Sequence, residues 1–371
     1  MTTALTPGLL PEGLRDRLPP QAEAASRLMH CVIGAIGRHG YDRVSPPLAE
    51  FEESLVGRLK AGRAQDLLRM VDPVSQRMLA LRPDITAQVG RIAVTRMGHV
   101  ARPLRLAYGG PVVKLRATQL RPERELAQAG AELIGADSVA AVTEILRVAL
   151  DALEAAGVTD ITIDLTLPDL VETLAAGAMP LAPERVATVR ALLDAKDAGG
   201  LAAEGADAYL PLIAAAGPLD AALARLRALD PTQALDSRLA GIERIAGAIG
   251  GRAALTLDPT ERHGFEYQSW IGFSLFGSGL SGEIGRGGSY TIVHADGREE
   301  PAVGFSLYLD PLVDIGLGAE PARRVFLPLD HDADTAAALR RDGWTTVAAL
   351  SETDGAEGCT HRLDGRATVQ I

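Results

Sequence analysis

The sequence predicts an α+β protein whose core is an antiparallel sheet flanked by helices. Three observations lead there. Strand-like segments follow one another through turn-rich connections instead of alternating with helices, as βαβ units do. Helical periodicity is gathered into blocks, the largest an alanine- and leucine-rich stretch from about 168 to 250. The glycine-rich run 277–288 opens no helix, so it supplies hairpin turns and not a dinucleotide-binding loop.

Each element follows from local chemistry. Ala25, Leu28, Met29, Val32 and Ile36 recur at helical spacing and predict a helix over 20–38, which also makes Cys31 a small core residue. His39-Gly40 ends it, and a short strand over 41–45 stops at Pro46-Pro47. Strands over 68–71 and 78–81 are joined by Asp72-Pro73-Val74-Ser75, which has turn chemistry. A helix over 84–97 is followed by strands over 104–108 and 126–134, with 109–124 between them as a loop. Asp137 is the expected N-cap of a long helix reaching Ala156, and Gly157 is its stop. Ile161, Ile163 and Leu165 alternate as a strand. An all-helical insertion over about 168–250 includes a stripe of Leu235, Leu239, Ile242, Ala246 and Ile249. Strand character returns over 253–257, 266–276, 282–288 and 302–309. A soft boundary at 316–321 divides a core domain, 1–317, from a small α/β domain, 322–371, whose helix has Asp334 as its expected N-cap.

Composition narrows the function classes. Hydrophobic residues make up 47% of the 371, so a sizeable core is available and disorder is not expected. No run of about eighteen apolar residues is present, and the N-terminus lacks a basic head followed by an apolar stretch, so a cytoplasmic protein is expected. The two cysteines, Cys31 and Cys359, have no CxxC spacing, which argues against a zinc site or a disulfide framework. Net charge is −11 and no basic stretch occurs, which disfavours nucleic-acid binding. Neither cofactor nor metal motif is found, and there is no GxSxG, HExxH or P-loop.

Three groups of residues carry possible chemistry. Asp84 and Thr86 open a predicted helix, where they either cap free amides or turn toward a ligand. Gln128 and Glu132 lie four apart on a predicted strand and so share a face, solvated or converging on an ammonium or imidazole group. Tyr267 and Tyr290, near glycine turns, either wall a small polar pocket or pack a hairpin.

The order of these groups resembles histidyl-tRNA synthetases. Pro11-Glu12-Gly13-Leu14-Arg15-Asp16 is similar to their N-terminal segment, and Gly40 to Pro47 to motif 1 of class II synthetases, the dimer-forming element. Leu81-Arg82-Pro83-Asp84-Ile85-Thr86 resembles the LRPEGT segment, and Arg124 to Glu132 the end of motif 2. His263-Gly264-Phe265-Glu266-Tyr267 is similar to the RGLDY signature, and Val303 to Leu307 to the opening of motif 3. The resemblance spans about 9–315 and implies a class II synthetase-like sheet.

The departures narrow it further. Aligned this way, the motif 2 arginine falls at Ala107, the RGLDY arginine at His263 and the motif 3 arginine at Pro311. Arginine's cationic fork stabilises the forming adenylate, and losing one such group costs about 10²–10³ in rate. The positions matching the histidine-binding groups are kept or conservatively changed: Asp84, Thr86, Gln128, Glu132, Tyr267 and Tyr290. The last fifty residues are short for an anticodon-binding domain. A synthetase core with these losses resembles the regulatory subunits of ATP phosphoribosyltransferase. That family implies a homodimer within a hetero-oligomer with a short-form catalytic subunit, inhibited by histidine. The alternative is a working histidyl-tRNA synthetase that recruits Arg102, Arg105, Arg116 or Arg121 in place of the lost arginines.

Overall fold

A computed structural model describes residues 8–56, 67–117, 122–262, 268–321 and 323–371. The chain divides into two compact units, Met1–Gly318 and Ala319–Ile371.

The first unit is built on a nine-stranded sheet. In sequence its strands are β1 (Asp42–Arg43), β5 (Leu104–Val113), β6 (Glu125–Ile134), β7 (Thr162–Thr166), β8 (Gly217–Pro218), β9 (Ala254–Leu257), β10 (Gln268–Phe276), β11 (Gly285–Val293) and β12 (Glu299–Tyr308). Their spatial order is β1-β5-β6-β12-β11-β10-β7-β9-β8. All neighbours are antiparallel except β1 with β5 and β7 with β9. A separate three-stranded sheet, ordered β2-β4-β3, joins β2 (Ala49–Phe51), β3 (Arg69–Val71) and β4 (Met78–Leu81). The Asp72 carboxylate closes its β3–β4 turn by accepting from the backbone N–H groups of Val74 and Ser75 at 3.2 and 3.1 Å.

Helices α1 (Gln21–Gly37) and α4 (Val139–Ala155) cover one face of the large sheet, packed on each other and on β6. Along β6 the alternation is plain. Ala129, Ala131 and Leu133 join α1 and α4 in the main core, whereas Leu126 and Ile134 pack on the other side with Ile85 and Val89. That second face is covered by α3 (Thr86–Thr95), and on it lie Gln128 and Glu132. Burying α4's inward apolar side chains contributes about 1.5–3 kcal/mol for each large one, among them Val142, Ile145, Leu146 and Leu153. Beyond β7 the chain forms α5 (Leu170–Ala175), α6 (Pro183–Asp194), α7 (Ala198–Ala203), α8 (Leu210–Ile213), α9 (Leu219–Leu229) and α10 (Asp236–Ile249). The two-residue strand β8 interrupts this helical block and pairs with β9. Gly250 ends α10 in the left-handed conformation.

The second unit has a four-stranded sheet ordered β14-β13-β15-β16, from β13 (Arg324–Leu327), β14 (Thr345–Ala348), β15 (His361–Asp364) and β16 (Ala367–Gln370). Helix α12 (Ala333–Arg341) closes a small core of Val325, Leu327, Ala336 and Leu363.

Four local expectations are corrected. Residues 109–113 continue β5, paired from Gly109↔Ala129 to Val113↔Glu125. At Gly109 a Cβ meets Met29 Sδ at 2.5 Å, so glycine there lets α1 approach the strand. Ser138, not Asp137, caps α4 by accepting from Ala141 N–H. The cap of α12 is Asp332, not Asp334. Cys31 is exposed, just outside the buried stripe of α1. Among the described residues, no helix is long and apolar enough to cross a membrane.

Candidate functional site

Two adjoining backbone features place the predicted groups. Strand β6 sets Gln128 and Glu132 on one face, with Gly130 between them. The start of α3 lies over that face and brings Asp84 and Thr86 to it. Gln128 ties the two together. Its carbonyl accepts from Ile85 N–H at 3.0 Å, and its amide donates to Asp84 Oδ2 at 2.6 Å and to Ser306 Oγ at 2.8 Å. Asp84 Oδ1 in turn accepts from Thr86 N–H at 2.7 Å, so it satisfies the first amide of α3, whose N-cap position is Ile85, while its other oxygen faces the site.

Glu132 is at the centre. Tyr108, on β5, donates to its Oε1 at 3.0 Å, and Tyr290, on β11, donates to its Oε2 at 2.8 Å. The Tyr108 hydroxyl also lies 3.1 Å from Thr86 Oγ1 and 2.8 Å from Ser306 Oγ. Thr86, Tyr108, Gln128, Glu132, Tyr290 and Ser306 are all buried. The network holds two carboxyl groups, and neither forms a salt bridge with a described residue. Burial pushes the Glu132 carboxyl up to about 8, and the nearby Asp84 charge adds to this against the hydrogen bonds from Tyr290, Thr86 and Tyr108. The same burial, with the charges of Glu132 and Asp84, raises Tyr108 well above its ordinary value. Chemically this is an acceptor-rich enclosure suited to a small ligand bearing N–H donors and positive charge.

Of the residues singled out in the sequence, Asp84, Thr86, Gln128, Glu132 and Tyr290 are brought into one network. Tyr267 and His263 lie outside the described residues. Sequence reasoning missed Tyr108 and Ser306. Their signal was register: Tyr108 and Ser306 both lie opposite Gly130, between Gln128 and Glu132.

Register also corrects the assignment made at Ala107. It lies opposite Ala131 and packs in the main core beneath α1, whereas Leu106 lies opposite Glu132. A side chain at 107 therefore points away from the site, and no arginine there reaches it. Pro311 sits in the first turn of α11 (Asp310–Asp314) and offers no charge. Its neighbour Asp310 is buried, accepts from Ala127 N–H at 2.7 Å and pairs with Arg17. A cavity of about 470 Å³ opens beside that pair against α1 and shares none of the network's side chains.

Among the described residues, no group of three or more His, Cys, Asp or Glu side chains is arranged to hold a metal ion. Arg82, buried near the network, is committed to the backbone: it donates to the carbonyls of Pro46 and Pro111 at 2.9 and 2.8 Å. Gly110 makes room for it, since a Cβ there meets Arg82 Nη2 at 2.5 Å.

Comparison with known proteins agrees with this architecture. Residues 13–312 match the family model for histidyl-tRNA synthetase. An ATP phosphoribosyltransferase regulatory subunit from Paramagnetospirillum magneticum is 43% identical, covering 100% of both chains. One from Rhodospirillum centenum is 43% identical over 98% of this chain and 96% of its own. The solved structure of an ATP phosphoribosyltransferase regulatory subunit/histidyl-tRNA synthetase from Bacillus halodurans C superposes with a TM-score of 0.81 at 24% identity, covering 95% of this chain and 96% of that one. Histidyl-tRNA synthetase from Nostoc sp. PCC 7120 superposes with a TM-score of 0.77 at 16% identity, covering 96% and 91%. These structural likenesses speak for the class II synthetase-like fold, and the full-length sequence identities go further: the chain belongs to the ATP phosphoribosyltransferase regulatory subunit family.

Proposed function

We propose that this chain is the non-catalytic regulatory subunit of an ATP phosphoribosyltransferase, in the first step of histidine biosynthesis. It forms a homodimer within a hetero-oligomer, makes a short-form catalytic subunit active, and carries histidine as the feedback inhibitor. It works in the cytoplasm without a cofactor and binds no nucleic acid. Histidine occupies the site of Asp84, Thr86, Gln128, Glu132, Tyr267 and Tyr290. Its ammonium group faces Asp84 and Gln128, and its ring faces Glu132.

The observation that carries this reading is the buried Glu132 carboxyl and the half-buried Asp84 carboxyl, linked through Gln128, Ser306 and Tyr108, with no salt bridge to either among the described residues. A small ligand with an amine at one end and an azole at the other satisfies both ends. Adenylation is lost, because the proline at 311 and the histidine at 263 offer no arginine fork to a forming acyl phosphate. Regulation then follows from unequal affinity of histidine for the active and inactive arrangements of the complex.

Phosphoribosyl-ATP formation by the short catalytic subunit, measured with and without this protein across a histidine titration, tests the reading. Activity that appears only on mixing and falls with histidine is the expected result. Activity that is independent of this protein refutes the regulatory role. Histidine-dependent ATP–pyrophosphate exchange establishes the synthetase alternative instead.

A further inference from the structure

We propose that Glu132 selects its ligand by ring basicity: it stands in the empty site as a carboxylic acid and hands its proton to the azole that enters. The inference rests on the histidine-binding reading above and goes beyond it, from which ligand binds to which protonation state is held.

The geometry points this way. Glu132 is 1% exposed, and among the described residues its hydrogen-bond partners are hydroxyl groups: Tyr108 at 3.0 Å from β5, Tyr290 at 2.8 Å from β11, and Thr86. Among the described residues no basic group hydrogen-bonds Glu132; the Arg82 guanidinium, ahead of α3, acts on Asp84 and Glu50 and donates to backbone carbonyls. From β5 the titratable neighbour is Tyr108, and from β11 it is Tyr290. From the start of α3 come the Thr86 hydroxyl and Asp84, a second acid. From β12 come Gly304, directly opposite Glu132, and the Ser306 hydroxyl. An ionised carboxylate buried in this enclosure, close to another acid, is strongly disfavoured, and the neutral acid is the stable empty form. The upward shift of the Glu132 carboxyl has the same cause.

The step balances within the site. The Oε–H bond of Glu132 breaks and an N–H bond forms on the ring nitrogen. One neutral acid and one neutral azole become a carboxylate and an azolium, adjacent and hydrogen-bonded, without gain or loss of a proton from solvent. An azole too weakly basic to take the proton leaves the acid facing an acceptor, and the pair does not form. Glu132 therefore discriminates imidazole from isosteric rings of low basicity, a distinction that shape alone does not make.

The test uses the intact chain and histidine labelled with ¹⁵N in the ring. At pH 7.5 free histidine is mostly neutral at the ring, its ordinary pKa being about 6.5. The bound ring is expected to show both nitrogens protonated, the imidazolium signature, and calorimetry in two buffers at that pH is expected to show no net proton exchange. Above about pH 8 the empty site has already lost its proton, so affinity falls about tenfold per unit and one proton is taken up. A triazole isostere of histidine is expected to bind about 10²-fold more weakly.

A neutral bound ring, release of one proton at pH 7.5, or equal affinity for the triazole overturns the proposal while leaving histidine binding in place. Absence of any histidine binding refutes the underlying reading instead. Glu132→Gln, confirmed folded by its thermal transition, is expected to bind histidine about 10²-fold more weakly and with the neutral ring signature. If Glu132→Gln still yields an imidazolium, the proton comes from elsewhere and the assignment to Glu132 is wrong.

Discussion

The Tyr290 hydroxyl reaches Glu132 across an intervening strand: β12 lies between β11 and β6, yet the two side chains meet at 2.8 Å. They meet because β12 presents Gly304 at the position directly opposite Glu132, with Gly288 on its other side. A side chain at 304 occupies the space the Glu132 carboxyl group now fills.

The first prediction concerns that glycine. Gly304→Ala forces the Glu132 carboxyl group off its tyrosine partners, because a Cβ there collides with Glu132 and also meets Ala131 O at 2.7 Å. Overpacking of this kind costs about 1–3 kcal/mol. Urea unfolding gives the stability change, and calorimetry is expected to find histidine binding abolished in a protein that still folds.

Glu132 also imposes a pH dependence on stability. Its folded-state pKa of about 8 lies above the ordinary 4.5, so the native state holds the proton more tightly than the unfolded chain does. That contribution is fully present below about pH 4.5 and is lost as pH rises through 8. Relative to Glu132→Gln, the ligand-free wild type should lose up to about 1.4 kcal/mol per pH unit across this window. Parallel urea titrations at pH 5, 6.5 and 8 check it; a constant difference between the two proteins contradicts the shift.

Asp310 anchors the strand that carries the site. Asp310→Ala leaves the Ala127 N–H and the Arg17 guanidinium without their acceptor in a buried setting. The expected cost is about 2–3 kcal/mol. Asp310→Asn retains one acceptor oxygen and should lose about half as much. Ala127 adjoins Gln128, so weaker histidine binding should accompany both losses.

Restoring an arginine at 107 does not revive adenylation. The position is 1% exposed and faces the main core beneath α1, so Ala107→Arg buries an unpartnered charge at a cost above about 3 kcal/mol. A strongly lowered melting temperature and no ATP–pyrophosphate exchange are expected. An active, stable variant contradicts the strand register.

Much of the site was legible because it depends on short-range geometry. Gln128 and Glu132 share a face through the two-residue period of a strand, and the segment Leu81 to Thr86 announced a helix start with a carboxylate and a hydroxyl. Tyr108 and Ser306 were not singled out, since what makes them site residues is which strands lie side by side. The misplacement at Ala107 had the same origin. An alignment counts residues along the chain, whereas the pleat decides which of two adjacent residues faces the ligand.

The sequence by itself determined the α+β class, the helical block after β7, the glycine at 157 that stops α4, and the residue types from which the acidic site is made. These follow from periodicity, turn chemistry and composition, all local. Only the tertiary structure decided that Asp84, Gln128, Glu132 and Tyr290 meet, that Tyr108 completes them, and that Glu132 sits with no cation beside it among the described residues. Burial and pairing depend on sheet order. A carboxyl group's charge state depends on what surrounds it in space, and the order of residues along the chain does not specify that.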